Sequence, residues 1–342
     1  MAWEEKLDRW AAENLPGLTV KIDEPMSRHT SFRTGGGAKR MAFPETVEEV
    51  TALMEAAEGF GARPFILGNG TNLLAPDEGL DRLVVSLSNM KAIEAGEENT
   101  ITAQAGITLA RLADFACNLG LTGLEFAHGI PGTLGGAVYM NAGADGGEMC
   151  QVIERGTAWF PGEGLRTMKV EELDMGYRHS FFMDHPETVI LSAAVRLTPG
   201  DSETIRSTMR ELMQKRKPSQ PLENPSAGST FKRPVGYFAG TLIDQCGLKG
   251  FTVGGAQVSE KHAGFVVNIG GAPSGDILHL MAEVQRIVYE QKGVRLEPEG
   301  RVIRRPGLRG EDYEDPHHLR PFRRGKEQGR VLPGGRRLLH RG

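Results

Sequence analysis

Three short segments combine residue types able to manage charge and protons. Tyr177-Arg178-His179-Ser180-Phe181-Phe182 sets an arginine among aromatics, which exclude water and strengthen any ion pair the guanidinium makes. Arg178 is then either a bidentate clamp for a carboxylate or a surface residue beside an aromatic patch of the core. Ala227-Gly228-Ser229-Thr230-Phe231-Lys232-Arg233-Pro234 puts a hydroxyl directly after glycine, in a turn flanked by cations. Ser229 has no GxSxG elbow and no His-Asp pair nearby in sequence, so an acyl-transfer nucleophile fits poorly. A proton donor fits better, and a turn-capping serine is the simpler structural use. Leu296-Glu297-Pro298-Glu299-Gly300-Arg301 offers two carboxylates two residues apart. A strand would turn both to one side, although Pro298 disturbs that register.

Two further segments offer backbone instead of side chains. Gly68-Asn69-Gly70-Thr71-Asn72 follows a strand pattern and presents several N–H groups at once, because glycine permits tight turns and close approach. An anionic phosphate is the natural guest, and a tight structural turn satisfies the same pattern. The loop has neither the lysine of a P-loop nor the GxGxxG spacing of a dinucleotide fold. Gly129-Ile130-Pro131-Gly132-Thr133-Leu134-Gly135-Gly136-Ala137, followed by Asn141-Ala142-Gly143-Ala144, interleaves glycines with apolar and hydroxyl side chains. Such a stretch can wrap a planar ligand with main-chain hydrogen bonds, or it can be a glycine-rich packing crossover.

The elements that must carry these segments alternate. Thr46 with Glu49 reads as a capping box, and Val47, Val50, Leu53, Met54 and Ala57 recur at helical spacing until Gly59. Pro64–Leu67 and Leu83–Leu87 read as buried strands, and Ile101–Ala105 as an alternating one. Leu109, Leu112, Ala113, Ala116 and Leu119 predict a helix closed by Gly120, before a loop over residues 129–147. Val189–Leu197 alternates as a strand, and Pro199-Gly200-Asp201 marks a domain boundary. After it, Ile205, Met209, Leu212 and Met213 form a helical stripe ending at Lys217-Pro218. Ile277, Met281, Val284 and Val288 predict a second helix, capped by Ser274 or Asp276 and stopped at Gly293. Beyond Pro306 nine Lys/Arg stand against five Asp/Glu with few apolar residues, so a disordered basic tail is expected over 307–342.

Composition sets the outer limits. With 342 residues, 39% of them apolar, the chain can build two or three cores. Glycine supplies 45 of the 342, well above the usual share of about 7%, without a collagen period. A net charge of −4 excludes a uniformly basic nucleic-acid surface. Met1–Trp10 is too charged for a signal peptide, and no run approaches the roughly 18 apolar residues of a membrane helix. Three widely spaced cysteines, Cys117, Cys150 and Cys246, suggest neither disulfides nor a metal site and fit a reducing cytoplasm.

Taken together, several motifs resemble one family. Ser27-Arg28-His29-Thr30-Ser31-Phe32-Arg33-Thr34-Gly35-Gly36, Leu67-Gly68-Asn69-Gly70-Thr71-Asn72-Leu73-Leu74 and Gly129–Gly136 are similar, in order and spacing, to the flavin-binding motifs of the MurB family of UDP-N-acetylenolpyruvoylglucosamine reductases. Gly254-Gly255-Ala256-Gln257-Val258-Ser259-Glu260-Lys261-His262-Ala263-Gly264-Phe265 resembles a further signature of that family, and the three chemical segments match it as well. The resemblance covers roughly residues 26–304. The short interval from Arg178 to Ser229 leaves no room for the extra tyrosine-bearing loop of the longer class, so the shorter class is expected.

The resemblance implies an α+β fold: a two-lobed FAD-binding domain of the vanillyl-alcohol-oxidase type over 26–199, with lobes of about 26–88 and 89–199, preceded by a helical segment 1–25 and followed by an α+β substrate-binding domain over 200–306. It implies noncovalent FAD held by Gly68, Asn69, Gly70, Thr71, Asn72 and Leu73, by Ile130, Pro131, Gly132, Thr133, Gly135 and Gly136, and by Asn141 and Gly143. His128 lies beside the second loop, and relatives on the wider fold tether flavin through a histidine; this family does not. By the same resemblance Arg178 is the substrate-stabilising arginine, Ser229 the proton donor and Glu299, in preference to Glu297, the catalytic glutamate. Tyr177, Lys217, Arg233 and Lys261 are assigned to the anionic substrate. Two departures stand out: Gly300 replaces a usual valine, and Arg233 stands where many members have asparagine.

The implied reaction reduces UDP-N-acetylglucosamine-enolpyruvate to UDP-N-acetylmuramate with NADPH, by way of FAD, for peptidoglycan precursors in the cytoplasm. Neither a nucleic acid nor membrane insertion is implied, and the sequence does not set the oligomeric state. Two rivals remain: a flavin oxidase of small hydroxylated substrates, which would not need Arg178, Ser229 and Glu299 together, and a flavin-binding protein without turnover.

Overall fold

Residues 2–303 are described by the structure, a computed structural model; the expected basic tail over 307–342 lies outside the described residues. Helix α1 (Trp3–Asn14) buries Leu7 and Ala11 and packs on α2 (Val47–Phe60), where Trp10 and Phe60 meet edge to face at 6.5 Å. The helical segment expected over 1–25 ends at Asn14. Thr19–Pro25 is instead an edge strand, paired antiparallel with Gly37–Phe43. That neighbouring strand clips α1 down: Arg40 forks onto both carboxylate oxygens of Asp8 at 2.7 and 2.6 Å.

Thr46 caps α2 by accepting from the Glu49 N–H at 3.1 Å. The return bond of the expected box goes one residue further back, from the Glu45 N–H to the Glu49 carboxylate. The helix also runs through Gly59 to Gly61, whose left-handed φ of +71° ends it. A glycine in the last turn costs about 1 kcal/mol, too little to stop a helix whose apolar face is already buried. Leu80–Ser86 and Phe65–Leu67 complete the first sheet in parallel, in the order Thr19–Pro25, Gly37–Phe43, Leu80–Ser86, Phe65–Leu67. One face buries Val85 and Leu83 beneath α2, and the other buries Met41, Leu67 and Val84 with Met26 and Ile303.

The second lobe is a five-stranded antiparallel sheet ordered Gly164–Lys169, Ile153–Phe160, Val189–Arg196, Thr100–Gln104, Ile93–Ala95. Helix α3 (Leu109–Asn118) starts at Thr108, which accepts from the Arg111 N–H, and ends before Gly120 at φ +68°. The segment expected as a loop over 129–147 contains a short helix, α4 (Leu134–Tyr139), capped by Thr133. Its glycines mask it in the sequence, but Leu134, Ala137 and Val138 are buried in the lobe's core. A one-turn helix, α5 (Phe181–Asp184), follows the aromatic segment.

After the turn at Pro199-Gly200-Asp201, Asp201 accepts from both the N–H and the hydroxyl of Thr204 and opens α6 (Ser202–Ser219). This helix packs back on the second lobe: Ile205 and Met209 join its core, and the Ser202 hydroxyl bonds the Cys117 carbonyl at 2.8 Å. A separate core begins only later, from Ala227, and unites α7 (Ala239–Gln245), a three-stranded sheet and α8 (Ser274–Lys292) through Leu242, Ile243, Val258, Val266, Ile277 and Val284.

Helix α8 ends at Gly293 in the left-handed region as expected, but neither Ser274 nor Asp276 caps it. Pro273 occupies the cap position, and Asp77 of the first lobe accepts from the Ser274 N–H and hydroxyl at 2.7 and 2.8 Å. Asp276 accepts from the Gly255 N–H instead. The chain then returns to the first lobe, where Arg301–Val302 pairs in parallel with Leu73–Leu74. Among the described residues no helix is long and apolar enough to cross a membrane, and the three cysteines are free.

Candidate active site

That return brings the C-terminal carboxylates to the glycine loops. A cleft of about 570 Å³ opens between the two lobes, within the usual range for a small-molecule site. All of Gly68 to Leu73 line it, with Ile130, Gly132, Thr133, Gly135 and Gly136 opposite and Trp159, Thr188 and Ile190 from the second sheet. Pro131 is not on the lining, but its carbonyl accepts from the Asn69 amide at 3.1 Å and locks the two loops together.

The glycines divide into two kinds. Gly70 is required by the fold: its φ is +61°, and an added Cβ would lie 1.9 Å from the His29 carbonyl oxygen. Gly132 and Gly136 have no such reason. An added Cβ would meet nothing closer than 3.9 and 3.6 Å, and it would occupy room left open at the cleft wall. The N–H groups of Asn69, Gly70, Thr71 and Asn72 find no acceptor among the described residues, so this turn holds donors ready for an anion. A long, partly apolar space with bare glycine walls and free main-chain donors fits FAD. His128 does not line the cleft; its Nε2 lies 3.4 Å from Asp114.

Asn141 and Gly143 stand just behind the cleft wall, which their neighbours Met140 and Ala142 line. Asn141 is buried with its amide fully engaged: it donates to Glu148 and to the Gly176 carbonyl, at 3.1 and 2.8 Å, and accepts from the Cys150 N–H. The Gly143 carbonyl accepts from Arg178 Nη2 at 3.0 Å. Both positions brace the turn that carries Arg178.

Beside the cleft lies a second cavity of about 440 Å³, lined by Tyr177, Arg178, Ser229, Arg233, Lys261 and Glu299 among others. Arg178 sits in a tight turn closed by Gly176 and His179, at φ +53°, a backbone region that costs a non-glycine residue of order 1 kcal/mol. Its Nε donates to Glu299 Oε1 at 2.7 Å, and both side chains are largely buried, at 18% and 12% exposure. Glu299 is fixed in turn by its N–H on the Thr230 carbonyl. Glu297 points its ion pair elsewhere, to Lys232 at 3.3 Å on the exposed side. Of the two carboxylates, Glu299 alone lines the cavity.

Ser229 is exposed at the cavity wall, and its hydroxyl has no partner among the described residues. Its position is rigid because buried Thr230 donates its N–H to Gly264 and accepts from the Val266 N–H at its hydroxyl. The Tyr177 hydroxyl accepts from the Arg233 N–H, and the Arg233 guanidinium lies 3.9 Å from the Phe238 ring centroid. Lys261 lines the cavity within 3.4 Å of Glu223. Lys217 is not brought to the site: it is exposed at the end of α6, and the buried cation of that turn is Arg216. Cleft and cavity meet at one side chain, since the Asn72 amide in the first donates to the backbone carbonyl of Glu299 in the second, at 3.3 Å.

Sequence reasoning missed several lining residues. Arg82 reaches the cleft from the middle of a buried strand, its guanidinium on the Arg63 and Pro64 carbonyls. The available signal was a charge pair, Asp81-Arg82, opening the apolar run Leu83-Val84-Val85. His262 lines the cavity, accepts from the Gly264 N–H at Nδ1, and is held below the usual imidazole value by burial, reinforced by Lys249. Its signal in the sequence was a histidine next to Lys261 within the 254–265 motif.

Residues 38–162 match the family described as "FAD binding domain", and with the cleft this defines an FAD-dependent oxidoreductase. Residues 220–303 match "UDP-N-acetylenolpyruvoylglucosamine reductase, C-terminal domain". The chain is 48% identical over 305 residues to the UDP-N-acetylenolpyruvoylglucosamine reductase of Agathobacter rectalis, covering 85% of this chain and 96% of that one. It is 45% identical over 290 residues to the enzyme of the same name from Limosilactobacillus reuteri, covering 85% and 97%. The crystal structure of UDP-N-acetylenolpyruvylglucosamine reductase (MurB) from Thermus caldophilus superposes with a TM-score of 0.71 at 34% identity, over 83% of this chain and 98% of that one. The chain belongs to the UDP-N-acetylenolpyruvoylglucosamine reductase family, flavoproteins that use FAD and NADPH in peptidoglycan precursor synthesis.

Proposed function

We propose that Arg178, Glu299 and Ser229 carry out the reduction of UDP-N-acetylglucosamine-enolpyruvate to UDP-N-acetylmuramate in this chain. The observation that supports it most is the buried Arg178–Glu299 pair, set in one cavity with an unpartnered serine and joined through Asn72 to the glycine-walled cleft. Gly68 to Leu73 and the 130–136 loop would hold FAD, which when bound supplies hydride transfer from NADPH to C3 of the enolpyruvyl group.

The protein's own side chains handle the charge and the proton. Negative charge develops at C2 and spreads into the substrate carboxylate, and a preoriented guanidinium stabilises it most where water is excluded. Glu299 accepts from Nε and so fixes the plane of the Arg178 guanidinium; Gly143 fixes Nη2. Ser229 delivers a proton to C2. Tyr177, Arg233 and Lys261 receive the anionic remainder of the sugar nucleotide from the cavity wall, and Lys217, assigned with them, would have to reach it from the exposed end of α6. The working division is an FAD-binding part over 26–199 and a substrate-binding part from residue 200, although the packing of α6 and the match beginning at 220 favour a later boundary. The partners are then NADPH and a nucleotide sugar rather than nucleic acid, and the place of work is the cytoplasm.

The test is anaerobic stopped-flow on the purified flavoprotein, reduced with NADPH and then mixed with the enolpyruvyl UDP-sugar. Rapid reoxidation with formation of UDP-N-acetylmuramate is the expected result. Reduction without substrate-dependent reoxidation would overturn it in favour of an oxidase or a flavin-binding protein without turnover.

A further inference from the structure

Arg216 lies in the last turn of α6, is 9% exposed, and lines neither cavity. Its Nε and Nη2 both donate to Asp145 Oδ2, at 3.1 and 2.8 Å. Asp145 and Gly146, at φ +52° and +89°, form the two-residue turn of a hairpin whose strands are only Gly143–Ala144 and Gly147–Glu148. A hairpin of two residue pairs does not hold its shape alone in water. Its base is what supports the catalytic turn: the Gly143 carbonyl accepts from Arg178 Nη2, and Glu148 accepts from Asn141, whose amide also donates to the Gly176 carbonyl. The same guanidinium lies flush against Gly129, where an added Cβ would be 2.6 Å from Nη1. One buried side chain thus touches both the tip of this hairpin and the start of the cleft loop.

We propose that Arg216 is a positioning residue for Arg178, acting through Asp145 and the 143–148 hairpin; the proposal rests on the role given to Arg178 above. The arrangement calls for arginine, because two donors of one fork must reach one oxygen while the flat group fits against a glycine backbone. The resulting path runs from α6 to Asp145, across the hairpin to Gly143, and into the Arg178 side chain. It gives a helix remote from the reacting atoms a hold on the orientation of the stabilising cation, where small displacements cost rate steeply.

The test uses Arg216→Met, which keeps the apolar stem, and the isosteric Asp145→Asn, which attacks the same contact from the other side. Two readouts on the FAD-loaded protein are compared: amide hydrogen exchange across 143–148 and 176–179, and the two half-reactions by stopped-flow. Both variants are expected to speed exchange in both segments by roughly tenfold and to slow substrate-dependent reoxidation by a similar factor, with flavin reduction by NADPH within about twofold of wild type. The double variant should be no worse than the more damaging single one, because the two residues act through one contact. Exchange at 176–179 that is unchanged in both variants, or equal slowing of the two half-reactions, would overturn the proposal. If the unmodified protein itself fails to turn over the enolpyruvyl substrate, the assignment of the reaction falls, while the exchange result decides separately whether Arg216 controls the Arg178 turn.

Discussion

The cleft and the adjoining cavity are built by opposite strategies. The cleft is made of main chain: two glycine loops, free N–H groups, and apolar side chains behind them. The cavity is made of side chains brought together from stretches far apart in sequence, among them those around residues 178, 229, 262 and 299. A cofactor that stays bound needs many modest contacts over a large surface, which backbone supplies whatever the side chains are. A reacting centre needs a few charges fixed to within fractions of an ångström, which requires long-range braces such as the Glu299–Arg178 pair. Substitutions in the cleft should therefore change occupancy, and those in the cavity should change rate at full occupancy.

The largest effect should come from Ser229→Ala. It removes only the hydroxyl, so FAD content and reduction by NADPH should stay near wild type while reoxidation by substrate slows by roughly 10²–10⁴, the usual weight of a positioned proton donor. Equal loss in both half-reactions would make Ser229 a structural residue of its turn. Next, Glu299→Gln and Glu297→Gln form an internal control. The first leaves Arg178 without its charged partner and should slow reoxidation by about tenfold or more; the second breaks an exposed pair and should stay within about twofold. Similar effects from both would break the distinction between the inner and outer carboxylate.

On the cleft side, Gly132→Val should give a folded but colourless protein. The added Cβ meets Ile130, Leu109 and Thr71 only at ordinary contact distance, 3.9 to 4.0 Å, so far-UV circular dichroism should be unchanged while FAD affinity falls by at least about tenfold. Wild-type FAD content would show that the glycine serves backbone conformation and not the ligand. Asp77→Ala probes the seam between the two parts of the molecule. It strips the cap from α8 and should cost about 1 kcal/mol, lowering Tm by a few degrees with little change in kcat.

The cleft was legible in the sequence and the braces were not, for a physical reason. Glycine announces where backbone must turn or be approached, so Gly68, Gly70, Gly132 and Gly136 pointed to the cleft directly. Periodicity likewise found α2, α3 and α8, because burying one helix face leaves a regular trace. Nothing local says that Asp77 will cap a helix nearly two hundred residues later, or that Arg216 and not Lys217 turns inward, since those outcomes depend on contacts fixed only after the lobes assemble. The partners of Asn141 were hidden for the same cause: an amide in a glycine loop can serve a ligand or a neighbouring turn, and its bonds to Glu148 and Gly176 form only in the assembled fold. Ser229, Arg178 and Glu299 were reached through motif resemblance, and their meeting in one cavity depends on the return strand Arg301–Val302, whose parallel partner Leu73–Leu74 lies more than two hundred residues away.

The smallest expected effect concerns His262. Burial, reinforced by the positive charge of Lys249, lowers its folded-state value below the 6.5 of an unperturbed imidazole. Between 6.5 and that lowered value the unfolded chain binds a proton that the folded chain does not, so this residue's contribution is fully present above about pH 6.5 and is lost as pH falls. His262→Gln keeps a polar side chain but removes the titration. With FAD saturating, the Tm difference between wild type and this variant should be largest near pH 7.5 and shrink steadily toward pH 5.5. A difference that stays constant across that range would mean the ring matters only for packing against Phe265, which it meets edge-on at 4.9 Å.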